Sequence, residues 1–180
     1  TMALGERCLG VIAHSETLTD FEFDAAMSVA RDHQFRMRII RYSELDIDQY
    51  ASNTPERCYF CKKDLLGRLK GIAEEVGAQA ILEGSNADDA SDWRPGLRAV
   101  EEMGVVSPLR EAGLTKQEIR DLAHALDLPN WGKPSAPCLS SRIAYGIPID
   151  RRKLDQVASG ERLLRSRGFE QVRLRHHGDI

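Results

Sequence analysis

The 180 residues contain no apolar run approaching the ~20 residues that a helix needs to cross a bilayer. A signal-peptide pattern is likewise missing. Thr1-Met2-Ala3-Leu4-Gly5 has neither the charged nor the apolar region of one, so the expected location is the cytoplasm. Positive charge is not in excess either: 25 Lys and Arg against 28 Asp and Glu give a formal net charge of -3 and a pI near 6.0. Such a balance provides no global attraction to nucleic acid. The four cysteines are too few for a disulfide scaffold, and in a reducing compartment they stay thiols or bind metal. Internal repeats and low-complexity segments are absent. What is present, 42% hydrophobic and 29% charged residues, is the composition of a chain that folds by burying a core.

Strand and helix signals alternate from the start. Cys8 to His14 is a short apolar run suited to a strand buried on both faces of a parallel sheet, and Thr19-Asp20-Phe21-Glu22 is a capping box opening a helix through about Asp32. Arg36 to Arg41 reads as a second strand. Cys61, Leu65, Leu69, Ile72 and Val76 mark one face of a helix that Gly77 can end, and Ala78 to Leu82 reads as a third strand running into the polar loop Glu83 to Asp89. Open α/β sheets bind ligands at that end of their strands. A second capping box at Thr115-Lys116-Gln117-Glu118 leads a helix to about Leu126, and Lys133 to Pro148 is loop-like. From Arg151 the spacing predicts a helix closed by Gly168, then a strand over Val172 to Arg175. The expected fold is α/β with a mostly parallel sheet, and residues are expected to be missing before, after or within the sequence.

The cysteines carry the chemistry. Cys58-Tyr59-Phe60-Cys61 places two thiols one helical turn apart, close enough for one metal centre, a redox dithiol or half of a zinc site, or simply two core thiols at helical spacing. Cys138 follows two prolines in Pro134-Ser135-Ala136-Pro137-Cys138, where a stiffened loop can present a thiolate. Three thiolates on a four-iron cluster leave one iron without a protein ligand, and an open position allows chemistry. Three thiolates with His176 or His177 would instead suit a closed structural zinc site. Cys8 falls within a strand pattern and is set aside.

Groups suited to anions lie nearby in sequence. Ser140, Ser141 and Arg142 offer two hydroxyls and a guanidinium for phosphate oxygens, and Arg173 and Arg175 alternate along the expected strand as a fork for another anion or as a solvated face. Asn86, Asp88 and Asp89 either position Mg2+ or nucleotide hydroxyls or simply form a turn. Asp92-Trp93-Arg94-Pro95-Gly96 is either a substrate-facing loop or a helix entry. Glu161 falls among Leu154, Val157 and Leu164 on the inward face of its helix and needs a partner, for which Arg173 and Arg175 are the candidates.

Taken together, Glu83-Gly84-Ser85-Asn86-Ala87-Asp88-Asp89, Asp92-Trp93-Arg94-Pro95-Gly96, Ser107-Pro108-Leu109-Arg110, Pro137-Cys138-Leu139-Ser140-Ser141-Arg142 and Val172-Arg173-Leu174-Arg175 resemble the LarE-type sulfur transferases. These belong to the PP-loop ATP pyrophosphatases. The resemblance implies a Rossmann-like, three-layer PP-loop domain over residues 1–148 and the start of a smaller α+β substrate domain over 149–180. It further implies ATP and Mg2+ as cofactors, adenylation of a carboxylate of pyridinium-3,5-biscarboxylic acid mononucleotide, and replacement of AMP by sulfur in the assembly of the nickel-pincer nucleotide of lactate racemase. One variant of the family gives up the sulfur of a single cysteine, and another carries a [4Fe-4S] cluster. The cluster variant implies Cys58, Cys61 and Cys138 as ligands, Ser141 and Arg142 beside phosphate, and Glu161, Arg173 and Arg175 around the substrate. A sulfide source and a homo-oligomer are also implied, while the acidic net charge and the lack of an evident zinc ribbon or basic arm speak against a nucleic-acid partner. The family's Ser-Gly-Gly-x-Asp-Ser loop does not occur in the 180 residues. A tRNA thiolase of the same superfamily and a non-catalytic zinc module are the rival readings.

Overall fold

The alternating signals near the N-terminus produce β1 (Gly10–His14), α1 (Asp20–Asp32) and β2 (Met37–Arg41), followed by a short α2 (Asp48–Ala51) and the long α3 (Arg57–Val76). Then come α4 (Pro95–Glu102), a one-turn α5 (Pro108–Glu111), α6 (Lys116–Ala125) and α7 (Arg151–Ser166). The computed structural model describes residues 4–91 and 93–178. Thr1, Met2, Ala3 and Asp92, which figure in the sequence reading, lie outside the described residues.

The helix ends form where the local chemistry predicts. The Thr19 hydroxyl accepts the Glu22 N–H at 3.3 Å at the start of α1. At α6 the capping box is complete, with Thr115 accepting the Glu118 N–H and the Glu118 carboxylate accepting the Thr115 N–H. Gly77 ends α3 at φ 66, a left-handed conformation that costs a residue without a side chain little.

The chain divides into two compact units, Thr1–Thr54 with Pro134–Ile180, and Pro55–Lys133. In the first unit β1 and β2 pair in parallel, in register from Gly10 opposite Met37 to His14 opposite Arg41, with α1 as the crossover. Among the described residues, Ala30, Tyr50, Leu139, Ile143, Ile149, Leu154 and Val157 are its buried apolar residues. In the second unit α3 packs on α4 around Leu66, Val100 and Val105, with Leu69, Ile81 and Met103 against them.

Three strand expectations are corrected. β1 is half-buried along its length rather than covered on both faces, because among the described residues the sheet has two strands. Ala78 to Leu82 does not form a strand: Ala78, Gln79 and Ala80 are exposed, and pairing is limited to a parallel bridge between Leu82 and Val106. Val172 to Arg175 is not a strand either, since the neighbouring chain meets it only beyond its end, at a bridge between Ile143 and His176. A strand exists by pairing, and apolar alternation without a neighbour leaves only irregular chain. The mixed α/β class with parallel pairing stands.

Candidate functional site

In the first unit, Cys138 is an exposed thiol beside a buried segment. The next two residues, Leu139 and Ser140, are buried, and so is Arg142. The Leu139 N–H donates to the Thr17 carbonyl at 3.0 Å, and the Ser141 N–H donates to the Cys138 carbonyl at 3.0 Å. Arg142 ties the loop from beneath: its Nη1 donates to the Pro137 carbonyl at 2.7 Å, the Cys138 carbonyl at 3.3 Å and Ser141 Oγ at 2.8 Å. The loop backbone around the thiol is therefore held from several sides.

The opposite edge of the Arg142 guanidinium meets Glu161, with Nε at 2.8 Å from Oε1 and Nη2 at 3.4 Å from Oε2. Glu161 is 0% exposed and Arg142 6%. Arg165 adds a 2.9 Å ion pair to Glu161 Oε2, and the Leu174 N–H donates to Oε1 at 3.2 Å. The partner expected from the sequence, Arg173 or Arg175, is thus replaced by Arg142 and Arg165. Burial pushes the Glu161 carboxyl up, but the Arg142 guanidinium, the Leu174 amide and Arg165 outweigh it and hold it below the usual carboxylate range. Arg173 and Arg175 are exposed, and Arg173 Nη2 donates to the Ser135 carbonyl at 3.2 Å. The expected fork therefore lies on irregular chain, with one of its arms reaching back to the segment before Cys138.

In the second unit, Cys58 and Cys61 occupy the first turns of α3, the former exposed and the latter half-buried. Gly96 in the first turn of α4 lies against the Cys58 carbonyl, which an added Cβ would approach to 3.5 Å. Lys62, next to Cys61, pairs with Glu83 at 3.2 Å. Glu83 Oε1 also accepts from Ser107 Oγ at 2.5 Å and from the Ser85 N–H at 3.0 Å. Burial raises the Glu83 pKa, but the Ser107 and Ser85 hydrogen bonds and the Lys62 charge prevail and lower it from 4.5 to about 2. A carboxylate favoured in the folded state contributes stability that is present above pH 4.5 and lost as the pH falls toward 2. Urea unfolding of the wild type and Glu83→Gln should therefore differ by about 2 kcal/mol at pH 6, after allowance for solvent screening, and converge as the pH is lowered.

The loop after Glu83 is a built turn. Asn86 Oδ1 accepts the Asp88 N–H at 3.0 Å, Asp89 Oδ2 accepts the Asn86 N–H at 2.9 Å, and Asp88 Oδ2 accepts the Lys116 N–H at 2.8 Å at the start of α6. Arg94 pairs with Asp89 at 2.8 Å. These bonds are those of the turn reading, with Asp88 left at the surface.

One polar cluster was not anticipated. Glu44, at the start of the segment after β2, is buried and accepts hydrogen bonds at Oε2 from Thr17 Oγ1, from Ser15 Oγ at 3.2 Å and from Tyr50 OH at 3.4 Å. Glu16 Oε1 accepts from Ser43 Oγ at 2.5 Å. The signal available was position: Ser15-Glu16-Thr17 and Ser43-Glu44 each follow a parallel strand, at the end where α/β sheets gather polar groups.

Among the described residues all four cysteines are thiols, and no group of three His, Cys, Asp or Glu side chains is gathered around a possible metal position. As a donor set, two thiols at i and i+3 on a helix and an exposed third on a fixed loop suit iron-sulfur ligation in kind. No helix among the described residues is long and apolar enough to cross a membrane.

No family model matches the chain. The pyridinium-3,5-bisthiocarboxylic acid mononucleotide synthase of Lactiplantibacillus plantarum is 41% identical over 170 residues, covering 94% of this chain and 62% of its own length. An uncharacterized protein of Synechocystis is 38% identical over 98% of this chain and 66% of its own. An uncharacterized protein of Methanocaldococcus jannaschii is 28% identical over 91% of this chain and 62% of its own. The chain thus spans less than two thirds of the length of these relatives.

Proposed function

Because the chain belongs to the LarE-type family, we propose that it is part of an ATP-dependent sulfur transferase acting on pyridinium-3,5-biscarboxylic acid mononucleotide. The observation that carries this reading is the 41% identity to a named synthase of the bisthiocarboxylic product over 94% of the chain. On this reading the parallel pair β1–β2 belongs to a Rossmann-like PP-loop domain over residues 1–148, with a smaller substrate domain beginning at 149. The product serves nickel-pincer nucleotide assembly for lactate racemase, in a cytoplasmic homo-oligomer supplied by a sulfide source.

The chemistry follows from the leaving groups. A carboxylate oxygen of the substrate attacks the α-phosphorus of ATP, and the α–β phosphoanhydride bond breaks to release pyrophosphate. A sulfur nucleophile then adds to the acyl carbon, and the carbon–oxygen bond to AMP breaks, leaving a thiocarboxylate. AMP departs readily where oxide would not. Ser141 is suited to phosphate: its Oγ already accepts from Arg142, so its hydroxyl proton is the part it offers to an anionic oxygen. The exposed Arg173 and Arg175 supply positive charge to the substrate's phosphate and carboxylates. Arg142, fixed by Glu161, holds the Cys138 loop from below, so Glu161 contributes to the substrate-lining set through Arg142 and the Leu174 amide. Asn86 and Asp88 shape the turn assigned to the nucleotide and Mg2+.

The three thiols, Cys58, Cys61 and Cys138, favour the cluster-bearing variant of the family. When bound, a [4Fe-4S] cluster supplies reactive sulfur at the iron that three thiolates leave open. Protein purified without oxygen should be brown with stoichiometric iron. With ATP, Mg2+, sulfide and substrate it should release AMP and pyrophosphate and yield the thiocarboxylate by mass spectrometry. Colourless protein holding only zinc would overturn the cluster, and salt-sensitive thiolation of bound tRNA would overturn the substrate.

A further inference from the structure

Tyr50 is fully buried in α2, 90 residues before Ser140, yet its hydroxyl makes a 2.5 Å hydrogen bond with Ser140 Oγ, two residues beyond Cys138. The same hydroxyl reaches the buried Glu44 carboxylate at 3.4 Å. Thr17, which also donates to Glu44, accepts the Leu139 N–H at its carbonyl. Carboxylate, phenol and serine therefore form a chain running from the carboxyl ends of β1 and β2 to the loop that presents the thiol. The rest of the α2 segment grips the same loop further along. Asn53 Nδ2 donates to the Ala144 carbonyl at 2.8 Å and the Ile147 carbonyl at 2.7 Å, and the Ile149 N–H donates to Ala51 O at 2.8 Å.

The order of donors is set by chemistry. The Tyr50 hydroxyl donates its proton to Glu44 Oε2, so Ser140 supplies the proton of the shorter bond. A phenol that both donates and accepts between two buried groups fixes both, and such bonds reinforce one another away from water. Ser140 is 0% exposed, so water cannot take over the role of the phenol without rearrangement.

We propose that Tyr50, backed by Glu44, is a positioning residue that sets the Cys138 loop for sulfur transfer through Ser140. This rests on the sulfur-transferase reading and adds to it a residue that acts on the loop through Ser140. The physical requirement is general: a reacting group must be held by neighbours whose own positions are fixed.

The test uses the full chain with Tyr50→Phe, which removes one oxygen and retains the buried ring, and Ser140→Ala, which removes the other end of the bond. Amide hydrogen exchange in peptides covering 138–143 should rise about threefold to tenfold in either variant, with exchange in α4 unchanged. The double variant should exchange no faster than Tyr50→Phe alone, because that single already removes the bond to Ser140. In the iron-loaded enzyme, kcat for thiocarboxylate formation should fall about 10-fold or more, the range for outer-shell partners, while KM for the mononucleotide stays within about twofold. Unchanged exchange in 138–143, or faster exchange with unaltered kcat, would overturn the positioning role. A wild-type enzyme that makes no thiocarboxylate would strike the functional reading instead, and the exchange measurement would still decide whether Tyr50 holds the loop.

Discussion

Cys138→Ala is expected to lose sulfur transfer by about 100-fold or more, beyond the range typical of outer-shell substitutions, and to fold normally. Because the thiol is exposed and its loop is held through backbone carbonyls and amides, removing the sulfur alters stability by only about 0.5 kcal/mol. In a protein carrying the phosphate loop, ATP cleavage to AMP and pyrophosphate should persist, separating activation of the carboxylate from delivery of sulfur. The companion substitution Cys58→Ala is the more discriminating. If a cluster spans three thiols, Cys58→Ala loses iron and transfer together with Cys138→Ala. If Cys138 gives up its own sulfur, Cys58→Ala retains transfer and Cys138 emerges as dehydroalanine by mass. Iron content measured beside product formation separates the two.

The second large effect falls on Glu161. Glu161→Ala leaves the buried Arg142 guanidinium without its carboxylate and the Leu174 amide without its acceptor, and breaking a buried pair from one side costs about 3–5 kcal/mol. For a chain of this size the melting temperature should fall by about 10 °C. Glu161→Gln keeps the shape and one acceptor, so its loss should be smaller. Its deficit relative to wild type should fade as the pH drops below the ordinary carboxylate value of 4.5, since Glu161 ionisation is favoured by folding and its contribution is lost on protonation. Calorimetry across pH would measure both. Activity lost by Glu161 variants is then to be compared with the fraction still folded before any chemical role is assigned.

Local signals in the sequence translated faithfully into structure. Thr19, Thr115 and Gly77 fixed helix ends because caps depend on residues within one turn. The inward placement of Glu161 was legible from helical periodicity, but its partner was not. The choice among Arg142, Arg165, Arg173 and Arg175 is made by packing of distant segments, which periodicity does not encode. The strands at 78–82 and 172–175 failed for the same reason: alternation marks a face, and only a neighbour makes a strand. Asn86 and Asp88 were readable as a turn, whereas the Asp88 bond to the Lys116 amide joins segments far apart in the chain. Glu44 and Tyr50 carried no motif at all. Their importance lies wholly in what the fold brings to Ser140.

The hydroxyl chain beneath Cys138 also bears on the order of events during folding. The unit that presents this thiol is assembled from two stretches separated by the whole of Pro55–Lys133, and the Tyr50–Ser140 and Asn53–Ile143 contacts each close a span of 90 residues. Long spans close late, because the chain loses entropy before such contacts compensate it. During synthesis the N-terminal stretch with Thr17, Glu44 and Tyr50 emerges first and waits for Ser140 and Glu161. A chain halted between them can have α3 and its two thiols in place while Cys138 is still unplaced. The competent loop is therefore a late-forming feature, and a nascent chain acquires it only near the completion of the unit.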